Sequence, residues 1–180
     1  KFLIDENTFI KFSNKKIENF KKKKYISILF RYDKFNPSRN TQKREIIEIL
    51  NSINLKFPKV KLLIISDNEG CLKAKEFLKN KKNIFYSKDL SSSIFSDIFL
   101  QLKSALCVAC HNSGGMLTWP YFSKNKFCFT NYMGLHARLK YNHYYKTNKI
   151  HPWWNNNQVF KTSMNHKILI NLINNYKDKI

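Results

Sequence analysis

Arg31 closes an apolar run, Tyr25-Ile26-Ser27-Ile28-Leu29-Phe30, and opens a polar loop that continues through Arg39 and Asn40. The chain holds four arginines against 29 lysines, so two of them in one short loop stand out. A guanidinium is a planar fork of N–H donors; it can grip a phosphate through two bonds and offset the charge of one that departs. Arg31 also has a structural reading, as an ion pair with Asp33 or Asp67. Further on, His111-Asn112-Ser113-Gly114-Gly115 follows a second apolar run and leads into a segment of helical potential, Gly114 to Phe122. Glycines there let backbone N–H groups approach an anion, the start of a helix favours negative charge, Ser113 adds a hydroxyl and His111 could touch a phosphate. A tight turn without a ligand would use the same residues. The string matches neither a Walker A loop nor the G-x-G-x-x-G fingerprint.

Two further loops carry carboxylates. Ser66-Asp67-Asn68-Glu69-Gly70 and Ser87 to Ser93, with Asp89, could take a ribose hydroxyl or a base edge; Asp89 and the serines could equally cap the helix that follows. Cys107-Val-Ala-Cys110-His111 has the spelling of a haem-attachment motif, but on a strand residues 107 and 110 point to opposite faces, so a core strand is the better reading. No zinc-type spacing is present. Asn131 to Gln158 mixes His136, His143, His151, Trp153 and Trp154 with tyrosines and asparagines. Aromatic planes beside amides suit a sugar surface, could stack bases, and could also simply pack on a sheet.

The elements that must position these residues alternate regularly. Strands are expected at Tyr25–Phe30, Val60–Ile65, Asn83–Tyr86, Ala105–Cys110 and Lys126–Thr130. Helices are expected at Thr41–Asn54, Cys71–Asn80, Ile94–Ser104 and, after the irregular segment, from about Thr162 to Lys177. Strands apolar on both faces between short helices imply a parallel sheet covered on both sides. Right-handed crossovers then bring every strand-to-helix loop to the carboxyl edge, where open α/β sheets bind ligands. The expected fold is α/β: a Rossmann-like, three-layer domain with a mostly parallel sheet of about five strands and a C-terminal helix. Residues 1–24 are expected to be a tail and linker from a preceding element, residues 25–131 the nucleotide-binding domain, and residues 132–180 an irregular aromatic segment and helix packed on it.

Composition bounds the rest. Of 180 residues, 43% are hydrophobic and 25% charged, enough apolar surface for a real core. The net charge of +21 invites nucleic acid, but it is carried by lysine, while arginine, preferred for planar phosphate and base contacts, is scarce; nucleic acid is disfavoured as the main partner. A solvated lysine coat is the plainer reading, and a basic face could also make peripheral contact with an anionic membrane. Four cysteines without a dense framework point to a reducing, cytoplasmic compartment. No apolar run is long enough to span a bilayer. The chain opens at Lys1 without Met, which suggests a processed chain or part of a longer one.

The order of strand endings resembles a known family. Ile28-Leu29-Phe30-Arg31, then Ile64-Ile65-Ser66-Asp67, then Phe85-Tyr86-Ser87-Lys88-Asp89, then Cys107 to Gly114 looks like the donor-binding half of GT-B glycosyltransferases, especially the fucosyltransferase-like group. The resemblance covers about residues 25–131. It implies that Arg31 holds the donor diphosphate; Arg39 and Asn40 are donor-binding candidates from their place in the same loop. It also implies that Asn112, Ser113 and Gly114 meet phosphates and that Asp67 and Asp89 take base and ribose; His111, Gly115 and Ser66 are donor-binding candidates from their place in the same loops. The substrate would be a GDP- or UDP-linked sugar, passed to a glycan or glycolipid acceptor of the cell envelope, with no cofactor and no metal. Phe30 stands where the family pattern has His, and the acceptor half is absent or reduced to residues 1–24, so no catalytic base is named. A polysaccharide pyruvyltransferase or a nucleotide- or nucleic-acid-binding module would share many of these signals.

Overall fold

Every residue of β1 (Tyr25–Leu29) is buried, and alternate side chains enter two different cores. Ile26 and Ile28 face one, Tyr25 and Leu29 the other. β2 (Lys61–Ile65) divides in the same way, Leu62 and Ile64 against Leu63 and Ile65. This period-two pattern with both sets apolar is what a sheet covered on both faces requires. The computed structural model describes residues 6–79, 81–110, 127–129 and 158–160.

Six strands form one sheet in the order β3-β2-β1-β4-β5-β6, where β3 is Ile84–Tyr86, β4 Leu106–Ala109, β5 Phe127–Phe129 and β6 Gln158–Phe160. All five pairings are parallel. The expected doubly wound α/β class is therefore the observed one. The sixth strand lies where the aromatic segment was expected to be irregular. Three residues are too few to show a period, and Gln158–Phe160 is defined only by its register with Phe127–Phe129.

On one face α2 (Lys43–Lys56) and α3 (Asn68–Leu78) bury Ile46, Ile49, Leu50, Ile53, Ala74 and Leu78. On the other, α5 (Ile94–Lys103) buries Phe99, Leu100 and Leu102. Two boundaries differ from expectation. α3 begins at Asn68, inside the expected loop, because the Asp67 carboxylate accepts from the Gly70 N–H at 2.7 Å and caps the first turn. Ser87–Leu90 is a one-turn helix, α4, closed by Ser91 N donating to Ser87 O at 2.9 Å.

The N-terminal segment also differs. A 3-10 helix (Glu6–Phe12) and α1 (Lys15–Lys21) lie on the α5 side of the sheet and bury Phe9, Ile17 and Phe20 in its core. Ser96 Oγ donates to Phe12 O at 2.8 Å, and Lys61 Nζ reaches Phe20 O at 3.3 Å while lying over the Phe20 and Phe85 rings. Residues 6–21 thus cover one face of the sheet, where a tail and linker were expected. The local sequence is lysine-rich, and the apolar residues that dock are spaced too widely to advertise it.

Cys107 joins the second core and Cys110 the first, so their sulfurs lie on opposite sides of the sheet and cannot act as a pair. Both are free and buried. Among the described residues no helix is long and apolar enough to cross a membrane.

Ile17 is fully buried, although its helix is short and basic. Ile17→Ala is expected to destabilise the fold by about 2–5 kcal/mol, the usual cost of emptying a core site of this size. Urea unfolding measures this, and a change below about 0.5 kcal/mol, typical of surface positions, would show that α1 contributes nothing to stability.

Candidate functional site

The parallel sheet brings the carboxyl ends of β1 and β2 together, and a cavity of about 520 Å³ opens there. One wall is the strand ends themselves: Leu29, Phe30 and Arg31 from β1, Ile65, Ser66 and Asp67 from β2. Another wall is α5, through Ile94, Asp97, Ile98 and Gln101. Tyr32 to Phe35 and Glu69 complete it.

The loop bearing Arg31 is held by its own hydrogen bonds. Arg31 N donates to Thr41 Oγ1 at 3.0 Å, and Thr41 N donates back to Arg31 O at 2.9 Å. Asp33 N donates to Asn40 Oδ1 at 2.7 Å while Asn40 Nδ2 donates to Asp33 O at 3.1 Å. The Asp33 carboxylate accepts from Phe35 N and Asn36 N, an Asx turn. The Arg31 guanidinium meets Asp33 at 3.4 Å, with side chains 19% and 33% exposed. The structural ion pair foreseen with Asp33 therefore forms, and Arg31 still lines the cavity.

Three sequence-selected residues, Arg31, Ser66 and Asp67, share this cavity. Asn40 belongs to the same loop, but both ends of its amide are engaged in closing it, so it positions Arg31. Arg39 ends a one-turn 3-10 helix, Pro37–Arg39, in that loop. Asp89 is elsewhere: it sits on α4, outside the cavity lining, and pairs with Lys75 at 2.7 Å. His111, Asn112, Ser113, Gly114 and Gly115 lie outside the described residues.

Sequence reasoning passed over Lys88, Asp97 and Gln101. Lys88 Nζ donates to Asp97 Oδ2, and the two side chains are 11% and 9% exposed. Asp97 Oδ1 has no hydrogen-bond partner among the described residues. Burial pushes the Asp97 carboxyl above the ordinary range; the bond and charge of Lys88 and the nearby Ser87 hydroxyl pull it back, and the Asp67 charge raises it again. A signal was present. Asp97 and Gln101 stand four apart in an otherwise apolar helix, which places both on one face.

Gly70 is required by close approach. A Cβ there would collide with the Ser66 hydroxyl and come within 3.0 Å of Asp67 Oδ1, the cap of α3.

The parallel three-layer sheet with a cleft at the carboxyl edge of its central strands defines a Rossmann-like α/β domain. Among solved structures it is similar to a candidate UDP-N-acetylglucosamine 2-epimerase from Listeria monocytogenes, with a TM-score of 0.54 and 12% sequence identity. The match covers 96% of this chain, which spans 43% of that protein's length. The likeness is one of fold, and it does not single out the fucosyltransferase-like group. No protein-family model and no curated protein matches the sequence.

Two outcomes follow from this geometry. Gly70→Ala must turn the Ser66 hydroxyl aside and disturb the Asp67 cap, so it is expected to cost about 1–3 kcal/mol, as overpacking does, read by thermal unfolding; an unchanged midpoint would mean that Ser66 yields freely. Asp97 has a folded pKa above its unfolded one, so its contribution to stability is complete below the unfolded value, about pH 4, and declines as pH rises through the raised value. Asp97→Asn should therefore flatten the fall of stability from about pH 4 upward, measured by urea unfolding across pH; parallel curves for the two proteins would contradict it.

Proposed function

We propose that this domain binds a nucleotide sugar at the carboxyl edge of its sheet and serves as the donor-binding half of a glycosyltransferase acting on a glycan or glycolipid. The observation that carries this reading is the cavity of about 520 Å³ with Arg31 in its wall, at the edge where such folds take nucleotides. The solved structure of similar fold is described as acting on a UDP-linked sugar, which agrees with a GDP- or UDP-linked donor here.

Arg31 would set its guanidinium against the diphosphate and offset the charge that grows as the bond to the sugar breaks. Asp33 and Asn40 keep the arginine loop in place, so little reorganisation is needed when the ligand arrives. Asp67 is engaged as the α3 cap through one oxygen and retains acceptor capacity for a hydroxyl through the other. The His111–Gly115 loop is assigned to the phosphates on its sequence, and Arg39 to the same end of the ligand. A lysine-rich surface would let the protein work beside an anionic membrane that carries its acceptor.

Titration calorimetry with UDP and GDP at physiological salt tests the reading. Saturable binding is expected, and Arg31→Ala should weaken it by about tenfold or more, the scale of a lost charge-assisted hydrogen bond. Absence of binding to either diphosphate, or RNA binding with a steep salt dependence in its place, would overturn it.

A further inference from the structure

The cavity has a chemical asymmetry that a phosphate alone does not explain. Arg31 stands on the strand wall, while the α5 wall carries Asp97 and Gln101 one turn apart among Ile94 and Ile98. Lys88 satisfies only Oδ2 of Asp97; Oδ1, on a side chain 9% exposed, has no partner among the described residues. Gln101 is 4% exposed, and its backbone carbonyl accepts from Ser104. Buried polar groups in folded proteins are nearly always paired, and one left without a partner on a cavity wall calls for a ligand or solvent donor. An ionised phosphate cannot be that donor, because it offers only acceptor oxygens and carries the same sign of charge as Asp97. A hydroxyl fits: it donates to a carboxylate oxygen and can accept from an amide N–H in the same place.

We propose that Asp97 and Gln101 form a hydroxyl-binding subsite that holds adjacent hydroxyls of a sugar ring while Arg31 holds the diphosphate linked to it. This rests on the nucleotide-sugar reading and deepens it. The ring is either the ribose of the nucleotide or the sugar it carries; both lie next to the diphosphate and offer the same vicinal hydroxyls. Lys88 is a positioning residue in this scheme. Its bond to Oδ2 fixes the carboxylate and supplies the counter-charge, which leaves Oδ1 to accept. Oδ1 is itself buried, so a hydroxyl that reaches it meets little competition from bulk water.

The test compares three proteins: the parent, Gln101→Leu, and the double variant Lys88→Met with Asp97→Leu. The double variant removes both charges together, because stranding either one in the interior would endanger folding. Thermal unfolding establishes that each is folded. The ligands are UDP, 2′-deoxy-UDP, UDP-glucose, their guanosine counterparts, and inorganic pyrophosphate. Both variants should lose about tenfold or more in affinity for the ligand bearing the recognised hydroxyls, the scale of hydrogen bonds to a buried polar pair. Pyrophosphate binding should stay within about twofold. Weak binding of 2′-deoxy-UDP by the parent would place ribose at the subsite; a preference for UDP-glucose over UDP would place the carried sugar there. Nucleotide binding that depends on Arg31 but is unchanged in both variants would overturn this inference and leave the nucleotide-sugar reading standing. No nucleotide binding by the parent would overturn both.

Discussion

β1 is enclosed on every side. β2 and β4 hydrogen-bond to its two edges in parallel register, α2 and α3 cover one face, and α1 and α5 cover the other. A strand in that position must be apolar throughout, and its parallel neighbours must return by crossovers long enough to hold a helix. Those crossovers leave all the carboxyl ends on one edge. Leu29 and Ile65 are register partners, so the residues that follow them, Arg31 and Asp67 included, necessarily open into the same space. The cavity is thus a consequence of how the central strand is buried.

The same enclosure governs the polar residue within β1. Ser27, in the middle of β1, is fully buried and donates to Ser104 Oγ at 2.9 Å, and Ser104 in turn donates to the Gln101 carbonyl. Gln101 is therefore tied to the centre of the sheet through its backbone while its side chain faces the cavity. Asp97, one turn earlier, faces the same space and is neutralised by Lys88, which reaches it from the one-turn helix after β3. A carboxylate among isoleucines is tolerated only with such a counter-charge.

Much of the fold was legible because its strands announce themselves. Runs such as Leu62 to Ile65 are apolar on successive residues, and helices such as Lys43–Lys56 repeat at helical spacing. Three things were not legible. Gln158–Phe160 is too short to show a period; the docking of residues 6–21 depends on Phe9, Ile17 and Phe20 finding a core supplied by distant segments; and α4 is a single turn closed by one backbone bond. In the site, Arg31 and Asp67 could be found because they directly follow strands. Asp97 and Gln101 could not be separated from ordinary helix residues until the cavity beside them was visible. Asp89, which also follows a strand, turns outward to Lys75, because one helical turn redirects it.

By itself the sequence determined the alternation of strand and helix, the parallel three-layer class and the edge at which Arg31 opens, since burial on both faces requires continuous apolar runs and handed crossovers allow few arrangements. Only the tertiary structure decided which polar residues share one cavity. That depends on residues up to about seventy positions apart, Leu29 to Gln101, meeting through strand register and helix packing, and no local period records such a meeting.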